Sequence, residues 1–175
     1  PARLRGLLLN SAGNVHLAAG DPARAAPLFR EALALRQAAL GPRDVEVGNT
    51  LTNVAMLEPD PALRESLLHR ALAIFEAELG PAHPHTVEAR IVTSAYTRDP
   101  QAAIDLLAHG CALLDSFAPD HYVQRAHCLN HLATHALDAG EHELARDALT
   151  RARPLVDLDA AHGARLDPTD AALIR

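Results

Sequence analysis

The chain has 175 residues, of which 49% are apolar and only 3% aromatic, and its formal charge is -6. This length supports one domain with a sizeable core, and an Ala- and Leu-rich core with few rings favours closely approaching helices. All 16 basic residues are Arg, because the chain contains no Lys. An acidic chain without a basic stripe is not typical of a nucleic-acid or anionic-membrane binder. Without Lys, the chain has neither a Gly-Lys phosphate loop nor a Schiff-base residue.

Three further features bear on origin and compartment. The chain starts at Pro1 and its only Met is Met56, which predicts a processed or excised piece of a longer protein. Cys111 and Cys128 are too few for a disulfide framework, so reduced thiols and a cytoplasmic protein are expected. No apolar run approaches the ~18 residues of a membrane helix, and no signal-peptide pattern opens the chain.

The first predicted element, in residues 1–41, is a pair of helices whose small and large residues recur near the other end of the chain. The same intervals between these residues return 120 positions later; Ala32, for example, corresponds to Ala152. This register predicts a repeat of two antiparallel helices with Gly ending the first. The two matching sets are Leu9, Ala12, Gly13, His16, Gly20, Ala25, Phe29 and Ala32, and Leu129, Leu132, Ala133, Ala136, Gly140, Ala145, Leu149 and Ala152.

Two middle units with shortened turns complete the pattern. Their turns are "EPDP" (58–61) and "TRDP" (97–100), where Pro stops one helix and can open the next. The predicted units are about 1–41, 42–80, 81–119 and 120–156, and 157–175 is a tail or a capping helix beginning near Asp167 and Pro168. The small residues Gly13, Ala55, Ser94 and Ala133 are expected where helices approach most closely. Helix breaks are predicted near Gly20, Gly41, Pro59, Gly80, Pro100, Pro119 and Gly140.

The segments between units are distinctive. "LGPRDVE", "LGPAHPHT" and "FAPDHYV" follow the second helices, and the period exceeds the ~34 residues of an ordinary tetratricopeptide repeat. The chain resembles the kinesin-light-chain variant of that repeat, as found in bacterial multidomain signalling proteins, over roughly residues 7–156. The resemblance implies an all-α, right-handed superhelix of four helix pairs. Gly80 and Pro81 are expected to end a second helix, and the next helix is expected to begin after His85 with a cap near Thr86.

The resemblance also implies where a ligand binds. First helices line the inner wall of such a solenoid, and its concave groove binds peptides or partner proteins. Related repeats place Asn in that groove, and "LNSAG" (9–13), "LTNVA" (51–55) and "LNHLA" (129–133) are the counterparts here, whereas "RIVTS" (90–94) departs from the pattern. The expected groove residues are Asn10, Asn14, Asn49, Thr52, Asn53, Met56, Ile91, Asn130, His131 and Thr134.

A histidine cluster offers a rival interpretation. His127, His131 and His135 recur every four residues, so they share one helix face, and two His at this spacing can ligate zinc if further ligands are present. The zinc-hydrolase motif with its Glu is absent, and no Cys or Ser stands in a nucleophile context. We therefore expect groove-facing histidines, no cofactor and no catalysis in this segment.

The sequence thus predicts a protein-interaction module that binds a protein or peptide, which can belong to the same parent chain. The first alternative is a regulatory or sensor region of a larger bacterial enzyme, such as a serine/threonine kinase, and the second is a His-based metal-binding domain. The oligomeric state stays open at this point.

Overall fold

The computed structural model describes residues 2–162, and in this range the regular secondary structure is all helical, without a strand. The predicted all-α class is therefore confirmed. None of the described helices is long and apolar enough to cross a membrane. Residues 2–162 form eight helices, which are α1 (Ala2–Ala18), α2 (Pro22–Leu40), α3 (Val45–Met56), α4 (Pro61–Leu79), α5 (Pro84–Tyr96), α6 (Pro100–Phe117), α7 (Tyr122–Asp138) and α8 (His142–His162).

Asp, Pro and Gly mark the helix ends. Four helices follow an Asp whose side chain accepts a backbone N–H of the first turn, which satisfies a donor that has no partner within the helix. Pro opens α2, α4, α5 and α6, where its missing N–H costs nothing. Four glycines in the linkers have φ between 74° and 91°, a conformation that other residues rarely adopt. The capping residues are Asp21, Asp44, Asp60 and Asp99, and the glycines are Gly20, Gly41, Gly80 and Gly140.

All seven predicted breaks fall in a linker or, for Pro100, at the first residue of a helix. One predicted helix start is wrong. α5 begins at Pro84, and its cap is His83, whose Nδ1 accepts the backbone N–H of His85 at 3.2 Å. The expected cap near Thr86 lies inside the helix, because Pro84 favours the first helical position and an imidazole nitrogen can replace a carboxylate as the acceptor.

The helices form two compact units, and the first ends at Gly80. In unit 1, α1 packs on α2, α2 on α3 and α3 on α4. Small residues set the closest approaches: a Cβ on Gly13 would lie 2.5 Å from Cε1 of Phe29, and a Cβ on Gly48 would lie 2.9 Å from Cε1 of Phe75. The prediction that Gly13 marks a close helix contact is therefore confirmed.

A buried arginine joins α2 to α3 in unit 1. Only 3% of Arg36 is exposed, and its Nη1 donates to Oγ1 of Thr50 at 2.6 Å and to the carbonyl oxygen of Glu46 at 3.0 Å. Its Nη2 lies 2.8 Å from Oε2 of Glu46. Burial of a guanidinium requires such partners, and here a carboxylate, a carbonyl and a hydroxyl supply them.

Unit 2 begins at Pro81 and contains α5 to α8. Its core is aliphatic, with Leu107, Leu129 and Leu132 almost fully buried. Cys111 of α6 and Cys128 of α7 form a disulfide with a Cα–Cα distance of 5.7 Å, which is within the range that a disulfide spans. The expectation of reduced thiols is therefore wrong: the helix packing brings the two cysteines together although they lie 17 positions apart in the sequence.

Arg90 of α5 stands where the repeat usually has a large apolar residue, and it is buried, with 1% exposed. A Cβ on Gly110 of α6 would lie 2.6 Å from Cδ of Arg90, so the missing side chain makes room for the arginine stem. Nη1 of Arg90 donates to the carbonyl oxygen of Pro81 at 3.3 Å. Ser94 and Ala133, the predicted small residues of this unit, are buried as well.

The last helix is longer than the predicted fourth unit. α8 continues through His162, six residues beyond the boundary expected at residue 156. The helix start expected at Asp167 and Pro168 lies outside the described residues.

Candidate peptide-binding surfaces

The first-helix face of unit 1, defined by Asn10, Asn14, Asn49, Thr52, Asn53 and Met56, contains a cluster of amides. Nδ2 of Asn53 donates to Oδ1 of Asn10 at 3.2 Å and lies 3.4 Å from Oδ1 of Asn14. Asn10 and Asn53 are half-buried and Asn14 is exposed. The structure thus brings together three amides that lie up to 43 positions apart in the sequence. Each amide has two donors and one carbonyl acceptor, so the cluster retains capacity for a ligand backbone.

The other residues of this face are Asn49, Thr52 and Met56 of α3. Asn49 and Thr52 are half-buried, and Oγ1 of Thr52 donates to the carbonyl oxygen of Gly48 at 3.2 Å. Met56 is 43% exposed and offers a flexible apolar contact surface.

The first-helix face of unit 2, defined by Ile91, Asn130, His131 and Thr134, is less uniform. Asn130 is 4% exposed and Ile91 is 6% exposed, so both lie at the base of this face. Thr134 is exposed, and its hydroxyl donates to the carbonyl oxygen of Asn130 at 3.0 Å. His131 is half-buried and its ring meets that of His127 edge-on, with centroids 6.2 Å apart.

A pocket of about 330 Å³ lies between α5 and α7, adjoining this face. We call it the α5–α7 pocket. Its apolar lining includes Val87 and Ile91 of α5 and Val123 of α7, and its polar lining comes from both helices. The complete lining is Pro84, His85, Val87, Glu88, Ile91, Val123, Gln124 and His127.

The three histidines of α7 do not assemble a metal centre in the described part of the chain. No group of three or more His, Cys, Asp or Glu side chains there has an arrangement that could hold a metal ion. His127 and His131 meet each other, but a zinc site needs a third or fourth ligand, and Cys128 is occupied by its disulfide.

Sequence reasoning missed the α5–α7 pocket. His85, Glu88 and Ile91 recur every three residues, which places them on one helix face, and that spacing was the available signal. The contribution of α7 through Val123 and Gln124 depends on how α5 and α7 pack together, and the sequence pattern does not report that contact.

Comparisons with known proteins agree with this architecture. Residues 7–46 match the family model of the tetratricopeptide repeat. No curated protein sequence matches the chain.

Solved structures resemble the chain over most of its length. BtubC (BKLC) of P. vanneervenii has a TM-score of 0.81 and 15% identity, covering 96% of this chain and 68% of that one. Two structures of a Podosopora anserina kinesin light chain with nearly identical TPR-like repeats have TM-scores of 0.79 and 0.76. The first is 16% identical, and the match covers 90% of this chain and 77% of that chain. The second is 17% identical, and the match covers 86% of this chain and 74% of that chain. The tetratricopeptide, kinesin-light-chain-like fold predicted from the linkers is confirmed.

Proposed function

We propose that this tetratricopeptide-repeat chain is a protein-interaction module that binds an extended peptide segment of a partner on its first-helix faces. A repeat solenoid serves in general as a surface for binding other proteins, and the fold of this chain is of that type. The amide cluster of Asn10, Asn14 and Asn53 is the observation that carries the peptide proposal. Side-chain amides can pair with both the N–H and the C=O groups of an extended backbone, largely irrespective of its sequence.

The chemistry of the two faces supports the same function. Asn10, Asn14 and Asn53 contribute polar groups in unit 1, and Met56 adds apolar surface beside them. In unit 2, His131 is half-buried, Thr134 is exposed and Ile91 is buried. Neither set contains Arg, so the ligand does not need acidic side chains for these contacts.

The test uses a partner that is first isolated by pull-down and then reduced to its shortest binding peptide. Asn10→Ala and Asn53→Ala should each weaken peptide binding by about 0.5–1.5 kcal/mol, the usual contribution of one hydrogen bond. Titration calorimetry measures the change in affinity. Thermal unfolding should change little, because both side chains are only half-buried.

Arg30→Ala and Arg146→Ala are the matched controls, because both arginines are exposed on second helices. Their substitution should leave peptide affinity intact. If the two arginine variants lose binding while the two asparagine variants retain it, the first helices do not form the binding surface.

A further inference from the structure

The α5–α7 pocket combines an apolar lining with one formally charged residue. Val87 and Ile91 are 2% and 6% exposed, and Val123 is half-buried, so these side chains are held in place by the core of unit 2. Glu88 is exposed beside them and is the one acidic or basic residue among those that line the pocket, apart from the two histidines. A volume of about 330 Å³ is at the lower end of ligand pockets and suits a single side chain.

Glu88 differs from several other carboxylates of the chain. Glu46 pairs with Arg36, Glu58 with Arg30 and Asp115 with Arg125. Glu88 forms no ion pair within residues 2–162. Its carboxylate therefore retains its acceptor capacity beside an apolar surface, and Gln124 adds an amide oxygen to the same lining.

These groups complement a long basic side chain. The stem of an arginine or lysine covers apolar surface while its charged head stays at the polar rim. A guanidinium presents donors in a planar fork that matches a carboxylate in a bidentate pair, and a side-chain amide oxygen can accept a further N–H. An acidic or purely apolar side chain would not complement Glu88.

We propose that the α5–α7 pocket is the specificity pocket for an arginine side chain of the bound peptide. This inference rests on the proposed function, because it assigns a ligand side chain to the first helices of unit 2. Val87, Ile91 and Val123 contact the methylene stem, and Glu88 pairs with the guanidinium. Lysine is accepted less well, since its ammonium group cannot form the bidentate pair.

The experiment uses a capped peptide, Ser-Ala-Ala-Arg-Ala-Ala-Ser, and the same peptide with citrulline in place of arginine. Citrulline has nearly the same shape and lacks the charge. Amide chemical shifts of the ¹⁵N-labelled chain are followed during each titration. We expect both peptides to shift the resonances of Val87, Ile91 and Val123, and the arginine peptide to bind about fivefold more tightly, as a solvent-exposed ion pair allows.

Two variants decide which carboxylate causes the preference. Glu88→Gln keeps the shape of the side chain and should abolish the preference for arginine over citrulline. Glu141→Gln removes the same charge from an exposed position in the α7–α8 linker and should leave the preference unchanged. Equal affinity of the two peptides for the unmodified chain, no shift at the pocket residues, or a preference that survives Glu88→Gln would each overturn the inference.

The outcome is independent of the test of the proposed function. If Asn10→Ala and Asn53→Ala weaken partner binding while arginine and citrulline bind equally, the module binds peptides but the pocket does not select arginine. If the arginine preference depends on Glu88 while the partner is insensitive to both asparagine changes, the pocket assignment holds and the part of the proposed function that assigns peptide binding to the amide cluster of unit 1 fails.

Discussion

The α2–α3 junction of unit 1 and the α6–α7 junction of unit 2 are equivalent places in the repeat, yet a different kind of bond joins the two helices at each of them. Thr50 and Cys128 each stand five positions before the small residue of their helix, Ala55 and Ala133. Both are buried, at 0% and 1% exposed. Thr50 accepts a hydrogen bond from buried Arg36, whereas Cys128 is bonded covalently to Cys111.

The comparison shows what the repeat pattern specifies. The pattern requires a residue of modest size at this position, because the second helix of the preceding unit packs against that residue. It does not specify which kind of interaction joins the two helices. Leu8 of α1 stands at the same position, five before Gly13, and is 60% exposed. Burial at this place therefore follows from the neighbouring helix and not from the hydrophobicity of the residue itself.

The largest expected effect concerns the disulfide of unit 2. It closes a loop whose ends are 17 positions apart, and in the chain-entropy account a loop of that size stabilises the fold by about 3 kcal/mol. A reducing agent should therefore lower protection from hydrogen exchange in α6 and α7, while α2 and α3 of unit 1 serve as the internal reference. The variant Cys111→Ala/Cys128→Ala should not respond to the reductant. Identical protection of α6 and α7 before and after reduction would contradict the assigned contribution.

Two of the close glycine contacts, those at Gly13 of unit 1 and Gly110 of unit 2, should differ in their tolerance of a larger residue. Gly13→Val should cost about 3 kcal/mol, because the added side chain meets the rigid and fully buried ring of Phe29. Gly110→Val should cost less, about 1–2 kcal/mol, since the flexible chain of Arg90 can adjust. Urea unfolding measures both, with Ala18→Val on the exposed end of α1 as the control for helix propensity. A larger cost at Gly110 than at Gly13 would reverse the comparison.

The third comparison concerns the polar junction of unit 1, where the expected effect is similar to that at Gly110. Thr50→Val keeps the shape of the side chain and removes the hydroxyl that accepts from Nη1 of Arg36, leaving the contacts of Arg36 with Glu46. A buried hydrogen bond to a charged group contributes about 1.5 kcal/mol or more. The matched control is Thr52→Val, because Thr52 lies two positions along α3, on the other side of the helix, and is only half-buried. If the two variants unfold at the same denaturant concentration, the Arg36–Thr50 bond does not stabilise the junction.

Sequence reasoning reached the helix count, the breaks and the positions of the small residues, because Gly, Pro and Asp act locally and their chemistry marks helix ends directly. It also predicted Asn10, Asn14 and Asn53 for the peptide groove; the structure brings the three amides within hydrogen-bond distance of one another, and their role in binding stays a prediction. It missed the disulfide and the α5–α7 pocket. Both depend on which residues of two helices meet, and a repeat pattern sets the register of helices without identifying every contact between them.

The burial of Arg90 illustrates the same limit within one helix. Its charge made the third unit the least regular by pattern, yet the structure accommodates it because Gly110 on α6 leaves space for the stem and the carbonyl oxygen of Pro81 accepts from its guanidinium. The compensating residues lie 20 and 9 positions away in the sequence, so the pattern around Arg90 alone did not predict them.

The most direct test of the central claim is a map of where a partner contacts the chain. A photoreactive phenylalanine derivative is placed singly at the exposed first-helix positions Asn14 and Thr134, and at the exposed second-helix positions Arg70 and His109. The account predicts that irradiation with the isolated partner crosslinks it from Asn14 and Thr134, and not from Arg70 or His109. Crosslinks formed from Arg70 and His109, and absent from Asn14 and Thr134, would contradict the assignment of the first helices as the binding surface.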